Sequence, residues 1–287
     1  MNPLRQAWRR LRGMPEPAFR EDLLWHALAE QPDFSPVFFL STGRAGTLFF
    51  TGLLQEDPSL LVEHEPEPAL VAQSRVLYET VAPDAHDEAL LKLGGQVFLV
   101  ARQRLLAQGL AQRRTYIETN NRITFFAPAL LALFPRARFV HLHRHPVAFV
   151  RSGLARRWYT GRHPHDVGRI VPRPGTPEAA AWASWTDIER IAWLWAETGN
   201  YIERFLAQVP AAQKMSMHFD RPDVDSVSRV LAFCGARIPP DLAARVSVPR
   251  NAQRLDGVPA WEAWDAADRA ALLRQAGPVA ARLGLAL

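Results

Sequence analysis

With Cys234 as the single cysteine among 287 residues, the chain has no internal disulfide, and this fits a reducing compartment. No apolar run approaches the length of a membrane-spanning helix. The first stretch, Met1 to Gly13, is broken by Arg5, Arg9, Arg10 and Arg12, which argues against a signal-peptide core. A cytoplasmic location is the expectation. A formal charge of +5 and a pI near 9.9 are modest, and no basic stripe interleaved with aromatics accompanies them. A nucleic-acid partner is therefore not expected, and a basic crevice for a small polyanion is the simpler account. Metal-ligand spacing is lacking too. His141, His143 and His145 alternate, but Pro146 ends the strand behind them, so they read as strand-end histidines and no metal is expected. The abundance of Ala, Arg and Pro suggests a GC-rich, bacterial coding sequence.

What the chain does have is two segments a hundred residues apart that look like halves of one anion cradle. Val37-Phe38-Phe39-Leu40 is a short continuous apolar run of the kind that forms a strand buried on both faces. Ser41-Thr42-Gly43-Arg44-Ala45-Gly46-Thr47 follows it, and then Leu48, Phe49, Leu53 and Leu54 recur at helical spacing. Gly43 and Gly46 thus lie where a strand turns into a helix, with the free amides of the helix start facing outward. Only two residues separate the glycines and no Lys precedes Thr47, so the nucleotide-hydrolase pattern G-x-x-x-x-G-K-[ST] is not met and a kinase or ATPase of that type is disfavoured. Arg44 instead supplies a planar, permanently charged fork suited to phosphate or sulfate oxygens. Taken alone, the loop has a less favoured second reading, a Gly-rich turn that tightens the junction.

The second segment answers the first. Arg138-Phe139-Val140-His141-Leu142 reads as another buried strand, with Arg144 at its carboxyl end. Pro146 opens a helix, and Ser152 stands eight residues after Arg144. A guanidinium at a strand tip and a hydroxyl two turns into the next helix can converge on one phosphate, in the crevice outside the strand ends of an open α/β sheet.

Further strands are expected at 115 to 119 and 214 to 219, besides 36 to 41 and 138 to 143. Helices are expected at 87 to 112, 124 to 134, 146 to 157 and 181 to 208. The alternation implies an α/β fold: a three-layer sandwich with a central, mostly parallel sheet flanked by helices. Residues 159 to 178 are punctuated by Gly161, Pro164, Gly168, Pro172, Pro174, Gly175 and Pro177. They read either as a loop closing over the site or as a surface insertion. Trp182, Trp185, Trp193 and Trp195 read as core, with one of them a candidate for lining a pocket, and Cys234 reads as a packed thiol.

On these two motifs the chain resembles the PAPS-dependent sulfotransferases, PAPS being 3'-phosphoadenosine 5'-phosphosulfate. Pro36 to Thr47 resembles that family's 5'-phosphosulfate loop, and Phe139 to Gly153 its 3'-phosphate motif, with Arg144 and Ser152 in the matching positions. Asp57-Pro58 and Glu65-Pro66 are similar to the stretch after the loop helix in the carbohydrate and protein-tyrosine branches, where a Glu is the base. Met217-His218-Phe219-Asp220 and Phe233-Cys234-Gly235 are loosely similar to a later strand and helix. The resemblance spans roughly residues 36 to 235 and implies a P-loop-like fold in one domain over 1–287, with a loop and helical acceptor-side insertion at about 159–210.

It also implies roles. PAPS would be the donor and PAP the product, held by Gly43, Arg44, Ala45, Gly46, Thr47 and Leu48 at the 5' end and by Arg144 and Ser152 at the 3' end. Arg250, in a C-terminal stretch that reaches back over the cofactor in relatives, would add a cation. Glu65 would be the base, twenty-one residues after Arg44, with Glu63 as runner-up. A strand from Leu60 to Glu65 would put both carboxylates on one face and turn His64 away. The acceptor would carry a hydroxyl on a small molecule, a carbohydrate or a lipid-linked compound. The basic residues around Leu4, Trp8 and Leu11 could make a weak membrane-surface contact or simply a solvated helix. Oligomeric state has no signal in the chain.

There are departures. Cytosolic members carry Lys in the first loop and a catalytic His after a later strand, whereas this chain has Arg44 and Asn120-Asn121-Arg122. His145 replaces the Asp that commonly follows the Arg of the second motif. A nucleotide-binding relative without turnover, or a phosphotransferase of P-loop type, is the alternative; the retention of Arg44, Arg144, Ser152 and a candidate base argues against the first, and the loop spacing against the second.

Overall fold

Apolar at every position, Val37–Leu40 forms β1 with all four side chains buried, as a strand covered by helices on both faces requires. The computed structural model describes residues 24, 27–28, 30–31, 33–82, 84, 87–163, 166–220, 222–247 and 257–287. Arg250 and the N-terminal basic segment lie outside the described residues. After β1 come α1 (Thr47–Leu54), β2 (Leu60–Glu63), α2 (Val71–Thr80), α3 (Glu88–Ala111) and β3 (Thr115–Glu118). A 3-10 turn at Asn121–Phe126 leads into α4 (Ala127–Leu133), β4 (Arg138–His143) and α5 (Pro146–Ala155). Then follow α6 (Pro177–Ala181), α7 (Asp187–Gln208), β5 (Lys214–His218), α8 (Val224–Phe233), α9 (Leu242–Ser247) and α10 (Ala266–Arg282).

The strands form one sheet in the order β2-β3-β1-β4-β5, and every neighbouring pair is parallel. Strand alternation divides the core. Phe38, Leu40, Leu61, Tyr116 and Phe139 face a cluster completed by α3, α4 and the end of α7. Val37, Phe39, Val62, Ile117 and Val140 face α1 and α8 on the other side. Each fully buried aromatic or aliphatic side chain stabilises by roughly 1.5–3 kcal/mol, which is what holds the three layers together. A third cluster, rich in tryptophan, joins α5, α7 and α10 beyond the sheet. Trp193 and Trp195 belong to its core, and Trp182 and Trp185 pack against it.

This topology fixes where a ligand can bind. The chain leaves β1 toward β2 on one side of the sheet and leaves β4 toward β5 on the other. The carboxyl ends of β1 and β4 are neighbours, in the register Leu40 to His141, so their loops diverge and leave a crevice between them. Both cradle segments begin there.

Some expectations need correction. The strand at the site ends at Glu63, and Glu65 has φ 46, so residues 60 to 65 are not one strand and alternation does not govern His64 and Glu65. The expected helix at 181 to 208 is interrupted by a 3-10 turn at Trp182–Ser184 and resumes at Asp187 behind a capping box of Thr186 and Glu189. Residues 159 to 178 hold a 3-10 turn at Asp166–Gly168 and are anchored. Tyr159 donates to the Ile170 carbonyl at 2.7 Å, and Arg173 donates twice to the Tyr78 carbonyl at 3.1 and 2.7 Å.

Candidate active site

The turn after β1 is shaped by three successive demands on the backbone. Gly43 and Gly46 adopt φ 82 and 88, and Arg44 between them takes φ 59. A Cβ at Gly43 would stand 3.0 Å from Asn121 Nδ2, and one at Gly46 would collide with the Phe219 ring, so glycine is required by space as well as by conformation. Ser41 braces the turn: its Oγ accepts from Gly43 N at 3.0 Å, and its backbone exchanges two hydrogen bonds with the Thr124 hydroxyl at 3.2 and 3.0 Å. Gly46 is then the N-cap of α1 and, having no side chain, makes no capping hydrogen bond to the amides of the helix start.

The cavity over this turn has a volume of 1020 Å³. Gly43, Arg44, Gly46, Thr47 and Leu48 line it from the first segment and Arg144 from the second, so two segments separated in the chain meet on one wall. Ala45, expected to contact the cofactor, is fully buried and does not line the cavity. Arg144 Nη1 donates to the Arg44 carbonyl at 3.1 Å, which ties the two halves together directly. Arg44 Nε is buried with no hydrogen-bond partner. Burial, and then the charge of Arg144, push the Arg44 guanidinium below its ordinary value, with Glu65 partly opposing. A half-buried cation held beside like charge is a site prepared for an anion.

Glu65 and His64 also line the cavity. Glu65 pairs with Arg122 Nη2 at 2.7 Å. His64, expected to turn away, lines the cavity beside it, because the end of β2 and the positive φ of Glu65 break the alternation. His64 Nδ1 lies 2.8 Å from the Thr119 carbonyl and 3.1 Å from its hydroxyl; the carbonyl can only accept, so this contact favours a proton on Nδ1, which in the neutral ring leaves Nε2 as the acceptor. Glu63 is outside the cavity wall. It faces Glu118 across the strand pair, and burial followed by the charge of Glu118 raises its pKa.

Ser152 does not reach the cavity surface. It is 2% exposed, and its Oγ accepts from Arg156 Nη1 at 2.9 Å, while Arg156 itself lines the cavity. None of Trp182, Trp185, Trp193 or Trp195 lines the cavity; Trp158, just beyond α5, does. Residues 159 to 178 contribute His163, Gly168, Arg169 and Ile170, so this segment forms one wall. Sequence reasoning also missed Asp220. It arrives from the end of β5, accepts from His145 N at 2.5 Å and from Arg144 Nε at 3.3 Å, and pairs with His218. A carboxylate thus stands beside Arg144 although the residue following it in the chain is His145. No sequence spacing shows such a contact, because the parallel β4 and β5 are seventy residues apart.

Deep along β4, His141 and His143 are driven down to about 3 and about 4, by burial first and then by their histidine neighbours. They remain neutral at physiological pH. Among the described residues no cluster of three His, Cys, Asp or Glu side chains is arranged to hold a metal ion. Cys234 is buried, and its thiol is pushed up to about 12 by burial, which marks it as a packed side chain. No helix among the described residues is long and apolar enough to cross a membrane.

A parallel α/β sheet with a glycine-arginine turn at its switch point, faced by a second arginine and a carboxylate, is the arrangement of an α/β protein with a crevice suited to an anion. The chain belongs to the sulfotransferase family, whose model, described as "Sulfotransferase family", matches residues 36–240. Among solved structures it is similar to the sulfotransferase from Alicyclobacillus acidocaldarius, at 17% identity over 88% of this chain and 97% of that one, with a TM-score of 0.51. It is likewise similar to the sulfotransferase domain of the Synechococcus PCC 7002 olefin synthase, at 16% identity over 88% and 96%, with a TM-score of 0.51. At these identities the likeness is one of fold. No curated protein matches the chain.

Proposed function

We propose that the protein transfers the sulfuryl group of PAPS to the hydroxyl of an acceptor, with PAP as the second product. The observation that carries this reading is the convergence of Arg44, Arg144 and Arg156 on one cavity at the sheet's switch point, with Arg44 Nε buried and unpartnered. A donor with two phosphates and a sulfate satisfies such an excess of cations. In this reading the amides of Ala45 to Thr47, the Thr47 hydroxyl and Arg44 hold the 5'-phosphosulfate, and Arg144 holds the 3'-phosphate.

Glu65 takes the acceptor's proton as its oxygen bonds to sulfur. The bond from sulfur to the bridging phosphate oxygen breaks, and the electron pair leaves with PAP. Arg44 and the α1 amides lie where that charge develops, so their contribution is electrostatic preorganisation. Arg122 fixes the Glu65 carboxylate by its 2.7 Å ion pair. The acceptor is a hydroxyl of a small molecule, a carbohydrate or a lipid-linked compound. The apolar wall of Val71, Phe125, Ile170 and Leu194 supports one with an apolar portion.

A second reading of the base is favoured by one observation: His64 keeps Nε2 free as an acceptor while its Nδ1 is fixed by Thr119. Turnover of PAPS against a panel of alcohols, phenols and sugars, measured in the wild type, Glu65→Gln and His64→Asn, separates the two. With Glu65 as base, Glu65→Gln loses about 10²- to 10⁴-fold in kcat and His64→Asn retains most of it. The reverse order assigns the base to His64. Near-full turnover in both variants removes both assignments.

A further inference from the structure

Not all of the cavity wall is charged. Val71 and Ser74 of α2, Phe125, Ile170 and Leu194 line it together, and only Ser74 among them is polar. The elements that carry these residues are packed on one another. Helix α2 packs against the 3-10 turn that holds Phe125 and against the turn at Asp166–Gly168. A Cβ at Gly168 would stand 1.8 Å from Val71 Cγ1, so that segment lies on Val71 as closely as glycine allows. The Tyr78 hydroxyl joins α2 to α7 by donating to Glu197 Oε1 at 2.9 Å. The Phe125 ring packs on those of Tyr78 and Tyr201, with centroids 5.0 and 4.9 Å away. This part of the cavity is therefore preformed.

Within it, Ser74 is 4% exposed, and its buried Oγ has no hydrogen-bond partner among the described residues. A serine inside a helix can turn its hydroxyl back onto the carbonyl four residues earlier. Here the Leu70 carbonyl takes the Ser74 amide at 2.9 Å, and the hydroxyl is left over. Such a group costs stability until a ligand supplies its partner, and nothing holds it against rotation about its single χ1. The charge beside this wall is already compensated. Arg169, next to Ile170, donates from Nε to Asp166 at 2.8 Å and stacks 4.0 Å above Trp158. The wall thus suits an uncharged ligand with one hydrogen-bonding group. It also adjoins the candidate base, because Arg122, which pairs with Glu65, belongs to the same 3-10 turn as Phe125.

We propose that this wall holds the body of the sulfate acceptor and that Ser74 is a specificity-determining residue. The preferred acceptor is then an uncharged, mainly apolar alcohol with a second hydroxyl or carbonyl oxygen away from the hydroxyl that is sulfated. This rests on the PAPS reading and narrows it. Straight-chain primary alcohols from butanol to decanol, set against the α,ω-diols of equal length, isolate the second hydroxyl, with methyl glucoside as the polar comparator. The kcat/KM of each with PAPS should be measured for the wild type and Ser74→Ala, alongside calorimetric PAP affinity. At the chain length that spans the wall, the wild type is expected to prefer the diol by about 3- to 10-fold, the range for one neutral hydrogen bond. Ser74→Ala is expected to lose that preference. It removes a hydroxyl that bonds nothing in the protein, so its PAP affinity stays within about twofold and reports an intact fold.

A diol preference that survives in Ser74→Ala, or that is absent at every length in the wild type, overturns the proposal. So does faster turnover of methyl glucoside than of any alcohol in the series. Loss of PAP affinity in Ser74→Ala would assign this wall to the nucleotide and overturn the proposal as well. A wild type that binds PAP but sulfates no member of the series overturns this inference and leaves the PAPS reading standing, whereas a wild type that binds no PAP overturns both.

Discussion

Arg102 and Arg44 both stand at the carboxyl edge of the same sheet, at neighbouring strands, and their environments are opposite. Arg102 comes from α3 and is fully buried with Glu118 of β3. Its Nε and Nη2 donate to the two carboxylate oxygens at 2.9 Å each, and its Nη1 donates to the Pro68 carbonyl at 2.8 Å. The carboxylate in turn accepts from the Tyr116 hydroxyl at 2.6 Å and from Asn120 Nδ2 at 2.8 Å. Burial works against the Arg102 charge, but Glu118 holds it above its ordinary value. Arg44 has an unpartnered Nε and other arginines as neighbours. A satisfied buried charge ties α3, β3 and the segment leading from Glu65 into one frame, whereas an unsatisfied one marks where a ligand must supply the missing charge.

The largest effect expected from breaking this contrast is at Arg102. Arg102→Ala leaves Glu118 buried without its partner, and should cost about 3–5 kcal/mol, seen as a lowered midpoint in denaturant unfolding with the slope unchanged. A cost near zero would mean that the pair is not what holds this flank.

Acid should act next, on the cationic side. In the unfolded chain His141 and His143 gain protons near pH 6.5, while in the fold they wait until about 3 and about 4. The unfolded state therefore binds more protons across that window. Stability is fully present above about pH 6.5 and falls as pH drops toward 4, by roughly 1–2 kcal/mol per histidine at pH 5. Thermal melts from pH 7.5 to 5 measure this, and His143→Gln should flatten the slope. An unchanged slope in that variant would contradict the assignment.

Arg44→Ala should separate stability from binding. Removing a charge that burial and Arg144 disfavour more than Glu65 supports it should leave the melting temperature unchanged or raised, while PAP affinity falls about 10-fold or more, the loss of one charge-assisted contact. A variant that melts earlier would show that Arg44 is structural like Arg102. The smallest effect is at Cys234, whose buried thiol should resist alkylation in the native protein and react on unfolding.

How much of this was legible follows from the same contrast. The strands at β1 and β4 and the two anion segments were readable, because continuous apolar runs ending in Gly43 or Arg144 carry their meaning locally. Helix α2 was missed for lack of a strong apolar stripe. Helix α10 was missed because it runs through Pro278, a residue that normally breaks the pattern. At the site, position in the chain pointed to Arg44, Arg144 and Glu65, and all three line the cavity. It could not show that Arg156 would occupy the Ser152 hydroxyl, that Asp220 would come to Arg144 from the next strand, or that His64 would face the cavity, since each depends on a turn or a packing contact rather than on periodicity.

The most direct test is a calorimetric titration of PAP into the wild type and Arg144→Ala, with ATP and magnesium as comparator. PAP binding preferred over ATP, and lost on removal of Arg144, is the predicted result. Preference for ATP, or PAP binding that survives the loss of Arg144, would contradict the assignment of the crevice between β1 and β4 as the PAPS site.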